Sequence, residues 1–151
     1  MENKPIGFRF TGIQVVSKTM EEMPKDGISG TFYFDIRVEN RINAENNAVI
    51  PFVTITIKDE KTEKKLANFH VACAFEVESF KEIVALNPNG TYEIPANLEL
   101  IFRQVSLSTV RGIIFSELSG TYLHNAIMPV IFVNTFKNEE AKMPELSFPN
   151  V

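Results

Sequence analysis

Few side chains in this sequence are of the types that do chemistry. The chain has one cysteine, Cys73, and two histidines, His70 and His124. A structural zinc site needs about four such ligands at characteristic spacings, and this set does not provide them. A reactive thiol needs exposure and a neighbouring base. The alternation of apolar and polar residues over 68–78 places Cys73 on the apolar side of a strand and His70 on the other, which predicts a buried, inert thiol.

Two acidic residues form the remaining candidate pair. Glu76 and Glu78 lie two positions apart on the same predicted strand, so their carboxylates share one face. Such pairs can act as acid and base, but solvated strand faces carry the same pattern far more often. The sequence contains neither G-x-x-x-x-G-K-[ST] nor G-x-G-x-x-G, so nucleotide binding has no support. We therefore predict a protein that is not an enzyme and that uses no metal and no cofactor.

The composition is typical of one soluble globular domain. The chain has 151 residues, of which 44% are apolar and 23% charged, enough to build a core. A net charge of −4 without a basic stripe argues against nucleic-acid binding. The single cysteine, the lack of a signal-like start and the lack of a long apolar run predict a cytoplasmic protein without membrane insertion.

Four segments alternate between apolar and polar residues with the period of a β-strand. We predict strands near residues 6–16, 31–42, 48–58 and 66–78. Each has one apolar and one polar face, as an antiparallel sheet covered on one side requires. Gly12 is a predicted bulge or bend, and residues 18–30 are a predicted loop because they contain Pro24, Gly27 and Gly30.

A helical pattern follows Pro95, and this segment is apolar on almost every side. A surface helix of a monomer needs only one apolar stripe, so one side should meet the sheet and the other a second subunit. Gly112 would allow two helices to approach closely. A break is predicted near Leu107 and Ser108, with Ser108 as the N-cap. The predicted oligomer interface consists of Val105, Thr109, Gly112, Ile113 and Ser116.

The order of these elements resembles the C-terminal half of the SecB-like protein-export chaperones. The matching elements are Leu98 to Leu107, Thr109-Val110-Arg111-Gly112, Thr121-Tyr122-Leu123 and Pro129-Val130-Ile131. The resemblance implies one α+β domain with a four-stranded antiparallel sheet in 1–80 and a long helix packed on one face. Residues 95–136 would form the helix and a groove segment. Residues 137–151 depart from the family as an irregular tail, since Pro144 and Pro149 exclude a helix.

The resemblance also implies a function. The protein would be a holdase that binds unfolded polypeptide clients before preprotein translocation, and it would assemble as a dimer or a homotetramer. Glu76 and Glu78 would form an acidic docking face for a SecA-type export motor. The candidate client-binding residues, which could equally be packing residues, are Phe10, Tyr33, Tyr122, Leu123, Ile127, Met128, Val130 and Phe132.

Three alternatives stay open at this point. A SecB-like chaperone dedicated to one antitoxin would have the same fold and a different client. An oligomeric adaptor without chaperone activity would share the fold and lack the holding function. An enzyme on a new sheet-and-helix scaffold is the third alternative, although no catalytic arrangement supports it.

Overall fold

The alternating segments form four long strands, and the apolar segment forms one long helix. A computed structural model describes residues 5–131. In chain order the elements are β1 (Phe8–Met20), β2 (Phe32–Asn43), β3 (Ala48–Asp59), β4 (Lys65–Val77), α1 (Phe80–Ile83), β5 (Ala85–Leu86), β6 (Tyr92–Glu93) and α2 (Ala96–Leu118). The predicted tail, 137–151, and residues 132–136 of the predicted groove segment lie outside the described residues.

The four long strands pair into one antiparallel sheet in the order β1-β4-β3-β2. Strands β1 and β2 are therefore its two edges. Helix α2 packs on one face of the sheet, over β3 and β4. The predicted fold class, a four-stranded antiparallel sheet with a long helix on one face, is confirmed. We call the face under α2 the helix-side face and the opposite one the outer face.

Strand β1 is longer than the sequence pattern predicted. It continues to Met20, so residues 18–20, predicted as loop, belong to the strand. Its register against β4 shifts between Phe10 and Gly12 and again between Val15 and Ser17. A bulge adds a residue to one strand and interrupts the period-two alternation. The alternation alone therefore ended the predicted strand too early, while the irregularity predicted at Gly12 is confirmed.

The core lies between the helix-side face and α2. Alternate side chains of β3 and β4 are fully buried there, as strand geometry requires for a face covered by a helix. The helix contributes a row of side chains at spacings of four residues, which lie one above another on one side. The core side chains of these three elements include Val49, Val53, Ile55, Ile57, Phe69, Val71, Cys73, Phe75, Leu98, Phe102, Val110, Ile114 and Leu118.

Helix α2 runs without interruption for 23 residues, so the predicted break at Leu107 and Ser108 is wrong. Serine costs only about 0.5 kcal/mol relative to alanine inside a helix. Burial of Leu107 against the core outweighs that cost. Thr109 Oγ1 donates to the carbonyl oxygen of Val105 at 2.8 Å, which satisfies the hydroxyl without interrupting the helix. The predicted start is confirmed, since Pro95 directly precedes the first helical residue.

The segment after α2 folds back onto the core without regular secondary structure up to Ile131. The turn begins at Gly120, whose φ of +78° favours glycine. Thr121 Oγ1 donates to the carbonyl oxygen of Leu118 at 2.7 Å, and the Leu123 amide donates to Thr121 Oγ1 at 3.1 Å. These bonds turn the chain so that Leu123 and Met128 enter the core. We call residues 119–131 the link.

Candidate functional site

The cysteine is enclosed and unreactive. Cys73 is fully buried between the sheet and α2, and burial raises the pKa of its thiol, with a smaller opposing effect from Ser106. His70 is on the opposite face of the sheet, where its Nδ1 lies 3.1 Å from Thr54 Oγ1. The thiol therefore has neither the exposure nor the base that a nucleophile needs.

The described residues offer no metal site either. His124 is exposed in the link, with its Nδ1 2.9 Å from the carbonyl oxygen of Thr121. Nowhere between residues 5 and 131 do three or more histidine, cysteine, aspartate or glutamate side chains come together as metal ligands. In the same range, no helix has the length and apolar character needed to cross a membrane.

The sequence analysis did not identify one buried acidic residue, Asp59. The Asp59 carboxylate accepts from the Ser29 amide at 2.7 Å, from Ser29 Oγ at 2.9 Å and from the amides of Lys61 and Thr62 at 2.9 and 3.3 Å. The backbone hydrogen bond from Ser29 is the main reason that the pKa of Asp59 is lowered to about 2, against the opposing effect of burial. Asp59 thus ties the loop before β2 to the turn between β3 and β4.

The edge strand β1 leaves large apolar side chains uncovered on the helix-side face. Phe8 and Phe10 contact the core, with ring centroids 5.2 Å from Phe102 and 4.7 Å from Phe75, yet both remain more than one-third exposed. The other members are still more exposed because α2 lies over β3 and β4. We call this set, which consists of Phe8, Phe10, Ile13, Val15 and Met20, the β1 stripe. Lys18, on the same face, separates Val15 from Met20 and forms an ion pair with Glu117 of α2.

The side of α2 that faces away from the sheet is also apolar. Ile101, Val105 and Phe115 are 38%, 37% and 61% exposed. A Cβ added at Gly112 would have no neighbour within 4 Å, so nothing in the described chain requires a glycine there. Of the predicted interface residues, Val105, Gly112 and Ser116 are exposed, while Thr109 and Ile113 are half-buried. These five lie on the accessible part of the helix, and their role as an interface stays a prediction.

The predicted client-binding residues do not form one continuous surface. Phe10 lies on β1 on the helix-side face, and Tyr33 lies on β2 on the outer face, paired with Lys58. They occupy opposite edges and opposite faces of the sheet, so one groove in a protomer cannot contain both. The sequence already indicated this difference, because Tyr33 alternates in step with the charged residues of its strand and therefore lies on their face.

The link residues divide by burial. Leu123 and Met128 are 0% and 2% exposed and belong to the core of the protomer. Ile127 and Val130 are 59% and 49% exposed and therefore accessible. Tyr122 is half-buried, and its hydroxyl donates to the carbonyl oxygen of Glu21 at 2.7 Å. Phe132, the last predicted client-binding residue, lies outside the described residues.

An open hollow marks the junction of α2 and the link. Its volume is about 620 Å³, and its lining includes the exposed ring of Phe115 together with Gly120 and His124. Ser119 and Thr121 complete the lining. Mixed apolar and polar walls of this kind suit an apolar side chain with a polar tip.

Of the acidic pair predicted as a docking face, Glu76 forms an ion pair with a basic side chain of the neighbouring strand. Arg9 Nη2 donates to both carboxylate oxygens of Glu76 at 3.0 Å across β1 and β4. Asp35 and Glu39, also on the outer face, lie 3.6 and 3.7 Å from arginine Nη2 atoms of their own strand. Glu78 is exposed just beyond the end of β4. The face therefore carries paired charges and not a concentration of negative charge.

Comparison with known proteins adds one informative match. No protein-family model matches the chain, and no curated protein sequence matches it. Among the solved structures that match is the Mycobacterium tuberculosis Rv1957 SecB-like chaperone in complex with a ChAD peptide from the Rv1956 HigA1 antitoxin. The two chains are 13% identical, with a TM-score of 0.55 over 83% of this chain and 90% of that one. The chain thus has the fold of a SecB-like chaperone.

Proposed function

We propose that this protein is a SecB-like holdase, a chaperone that binds non-native polypeptide segments and keeps them from aggregating. The observation that carries the proposal is the amount of apolar surface that this fold leaves uncovered, in the β1 stripe, on the outer side of α2 and at Ile127 and Val130 of the link. Isolated exposed apolar residues are ordinary, but contiguous ones mark surfaces that contact another molecule. The lack of a catalytic or metal-binding arrangement in the described residues is consistent with a binding protein.

Part of this apolar surface is assigned to assembly of a homo-oligomer. The outer side of α2, with Val105, Gly112 and Ile113, is the surface on which a second copy would pack. Gly112 supports this assignment because its missing side chain leaves room for a neighbouring helix to approach. The proposed assembly is a dimer, or a tetramer formed as a dimer of dimers, and it would act in the cytoplasm.

Client capture is assigned to the accessible part of the link and to an edge of the sheet. Ile127 and Val130 present apolar side chains, and the hollow beside Phe115 adds a place for a larger one. An extended client would hydrogen-bond to free strand backbone and place alternate side chains in apolar contacts. Leu123 and Met128 are excluded from this role because their burial makes them part of the folding core.

A second candidate function is that of a chaperone dedicated to one antitoxin, in place of a general role in protein export. The structurally similar Rv1957 protein is described in complex with an antitoxin peptide. The outer face also matches a basic export motor poorly, since its acids are interspersed with Arg9, Arg37 and Arg41, which would repel positive charge. A gene for a toxin–antitoxin pair beside this one would favour the dedicated role.

The test of the proposed function uses a reduced protein that aggregates when unfolded. Light scattering is followed with and without the purified chain, after its native mass has been measured. A delay in aggregation at near-stoichiometric ratios is the expected result. An oligomer that leaves the aggregation curve unchanged would support the adaptor alternative, and a monomer at micromolar concentration would contradict the proposed assembly.

A further inference from the structure

The two edges of the sheet differ in their charges. At its paired outer-face positions β1 has one charged residue, Arg9, among Gly12, Gln14, Ser17 and Thr19. Strand β2 has charged side chains at four consecutive outer-face positions, and their signs alternate. These side chains are Asp35, Arg37, Glu39 and Arg41.

The charged row of β2 lies along a free edge. Strand β2 pairs with β3 on one side, and within residues 5–131 no strand pairs with its other side. Its helix-side residues Phe34, Ile36 and Val38 are apolar and partly buried against the core. A strand added to this edge would find backbone hydrogen-bonding groups, apolar neighbours on one face and alternating charges on the other.

The charges of β2 are accessible to an added strand. Arg37 lies 3.6 Å from Asp35, and Arg41 lies 3.7 Å from Glu39, with the two arginine side chains 79% and 56% exposed. Exposed pairs of this kind contribute little stability, because water screens them. Side chains on a neighbouring strand can therefore compete for them. The Phe52 ring lies 4.1 Å below the Arg41 guanidinium and restrains its position.

Pairing of both edges with further copies of the chain carries a risk of open-ended assembly. If β1 paired with one copy and β2 with another, the sheet would extend into a fibre unless it closed into a ring. The β1 stripe exposes large apolar side chains that need lasting cover. The apolar side of strand β2 is already partly buried, so β2 does not need permanent cover. It is therefore the edge that is available to a transient partner.

We propose that β2 selects client segments by the order of their charges. An extended client pairs with its free edge and places carboxylates opposite Arg37 and Arg41 and basic side chains opposite Asp35 and Glu39. The assignment rests on the holdase function proposed above, and it makes these four side chains specificity-determining residues. A client with another charge order sets like charges opposite each other, which weakens a pair of strands.

Two labelled peptides of equal composition test the proposal by fluorescence anisotropy at low salt. The alternating peptide is Lys-Val-Glu-Val-Lys-Val-Glu-Val-Lys. The blocked peptide is Lys-Val-Lys-Val-Lys-Val-Glu-Val-Glu, made in both sequence orders. Sliding along the edge cannot restore all the opposite-charge pairs of a blocked peptide. The wild-type protein is expected to bind the alternating peptide about tenfold more tightly.

A charge-conserving exchange in the protein gives the decisive comparison. Arg37→Glu with Glu39→Arg converts the alternating row of β2 into a blocked one without changing the net charge. This variant is expected to prefer a blocked peptide by a similar factor. The matched control is Arg9→Glu with Glu76→Arg, which exchanges an ion pair on the far side of the same face and should leave the preference unchanged.

Several results would overturn the proposal. Equal binding of the peptides, or the same preference in the β2 exchange variant, would show that β2 does not read charge order. A change in native mass in the β2 exchange variant would identify this edge as an interface between copies. If neither peptide binds while aggregation of an unfolded protein is still suppressed, the inference fails and the holdase function stands. If the protein neither binds a peptide nor suppresses aggregation, the holdase function itself is overturned.

Discussion

The separation of the link into core and accessible residues gives a quantitative prediction. Leu123 is fully buried, whereas Ile127, four residues later, is 59% exposed. Truncation of a buried leucine to alanine costs about 2–5 kcal/mol, because transfer energy is lost and a cavity remains. A change at an exposed site away from special features stays within about 0.5 kcal/mol. Leu123→Ala should therefore destabilise the fold strongly and Ile127→Ala hardly at all.

These costs translate into melting temperatures that are easy to tell apart. For a domain of this size, 1 kcal/mol corresponds to roughly 2–4 °C. Leu123→Ala should lower the midpoint by at least about 4 °C, and Ile127→Ala by less than about 2 °C, in thermal unfolding followed by circular dichroism. The two variants remove comparable amounts of apolar side chain, so each serves as the control for the other.

The functional half of the prediction uses a polar double variant. Ile127→Asn with Val130→Asn should keep the melting temperature and reduce suppression of aggregation, because both side chains are accessible and are proposed to contact clients. A melting temperature as low as that of Leu123→Ala would mean that these are packing residues. Full suppression of aggregation by the stable double variant would mean that the link does not bind clients.

Three further predictions concern other sites. Gly112→Leu should weaken self-association without destabilising the protomer, because no described atom lies within 4 Å of the added Cβ; an unchanged mass by analytical ultracentrifugation upon dilution would refute its place in the interface. Ser106→Ala should change the free energy of unfolding by less than about 1 kcal/mol, since alanine is the better helix former but the change removes the weak hydrogen bond between Ser106 Oγ and the buried Cys73 thiol; a loss above about 2 kcal/mol in urea unfolding would contradict this. The folded-state pKa of Asp59, about 2, lies below its ordinary value of 3.8, so its contribution is complete at neutral pH and is lost as pH falls from about 4 to about 2. Asp59→Asn should flatten the stability profile in that range, and a profile as steep as wild type in acid urea titrations would contradict the assignment.

The sheet was predictable because its central strands have one fully covered face. In most of β3 and β4 every second side chain is buried, so apolar residues recur at every second position from Val53 to Ile57 and from Phe69 to Val77. Strand β1 follows the same rule only between its bulges, where extra residues shift the register. The exposed remainder of β1 has no covered face to enforce alternation, and the prediction therefore stopped four residues before its end at Met20.

For helix α2 the sequence predicted the element but not which of its sides is buried. Its apolar residues surround the whole axis, so the sequence could not say which of them face the sheet. The structure selects a row that includes Leu98, Phe102 and Ile114, and leaves Ile101 and Val105 accessible. The predicted break failed because the serines near Leu107 have a weak local preference, which tertiary packing overrides.

The candidate site was only partly predictable, because part of it has no periodic sequence pattern and part of it depends on contacts between residues far apart in the sequence. The link has no periodicity, so nothing in its sequence separates buried Leu123 from exposed Ile127. The role of Asp59 depends on Ser29, thirty residues away, and only its local bonds to the following turn had a sequence signal. The pairing of Arg9 with Glu76 likewise depends on strand order, which alternation does not reveal.

The central claim is that the protein binds unfolded chains in preference to folded ones, and one titration tests it directly. A test protein is reduced and its thiols are blocked, so that it stays unfolded, and its binding is compared with that of the same protein in its native, disulfide-bonded form. Calorimetric titration should give saturable binding of the unfolded form and none of the native form. Binding of neither form, or equal binding of both, would contradict the proposal that this SecB-like fold acts as a holdase.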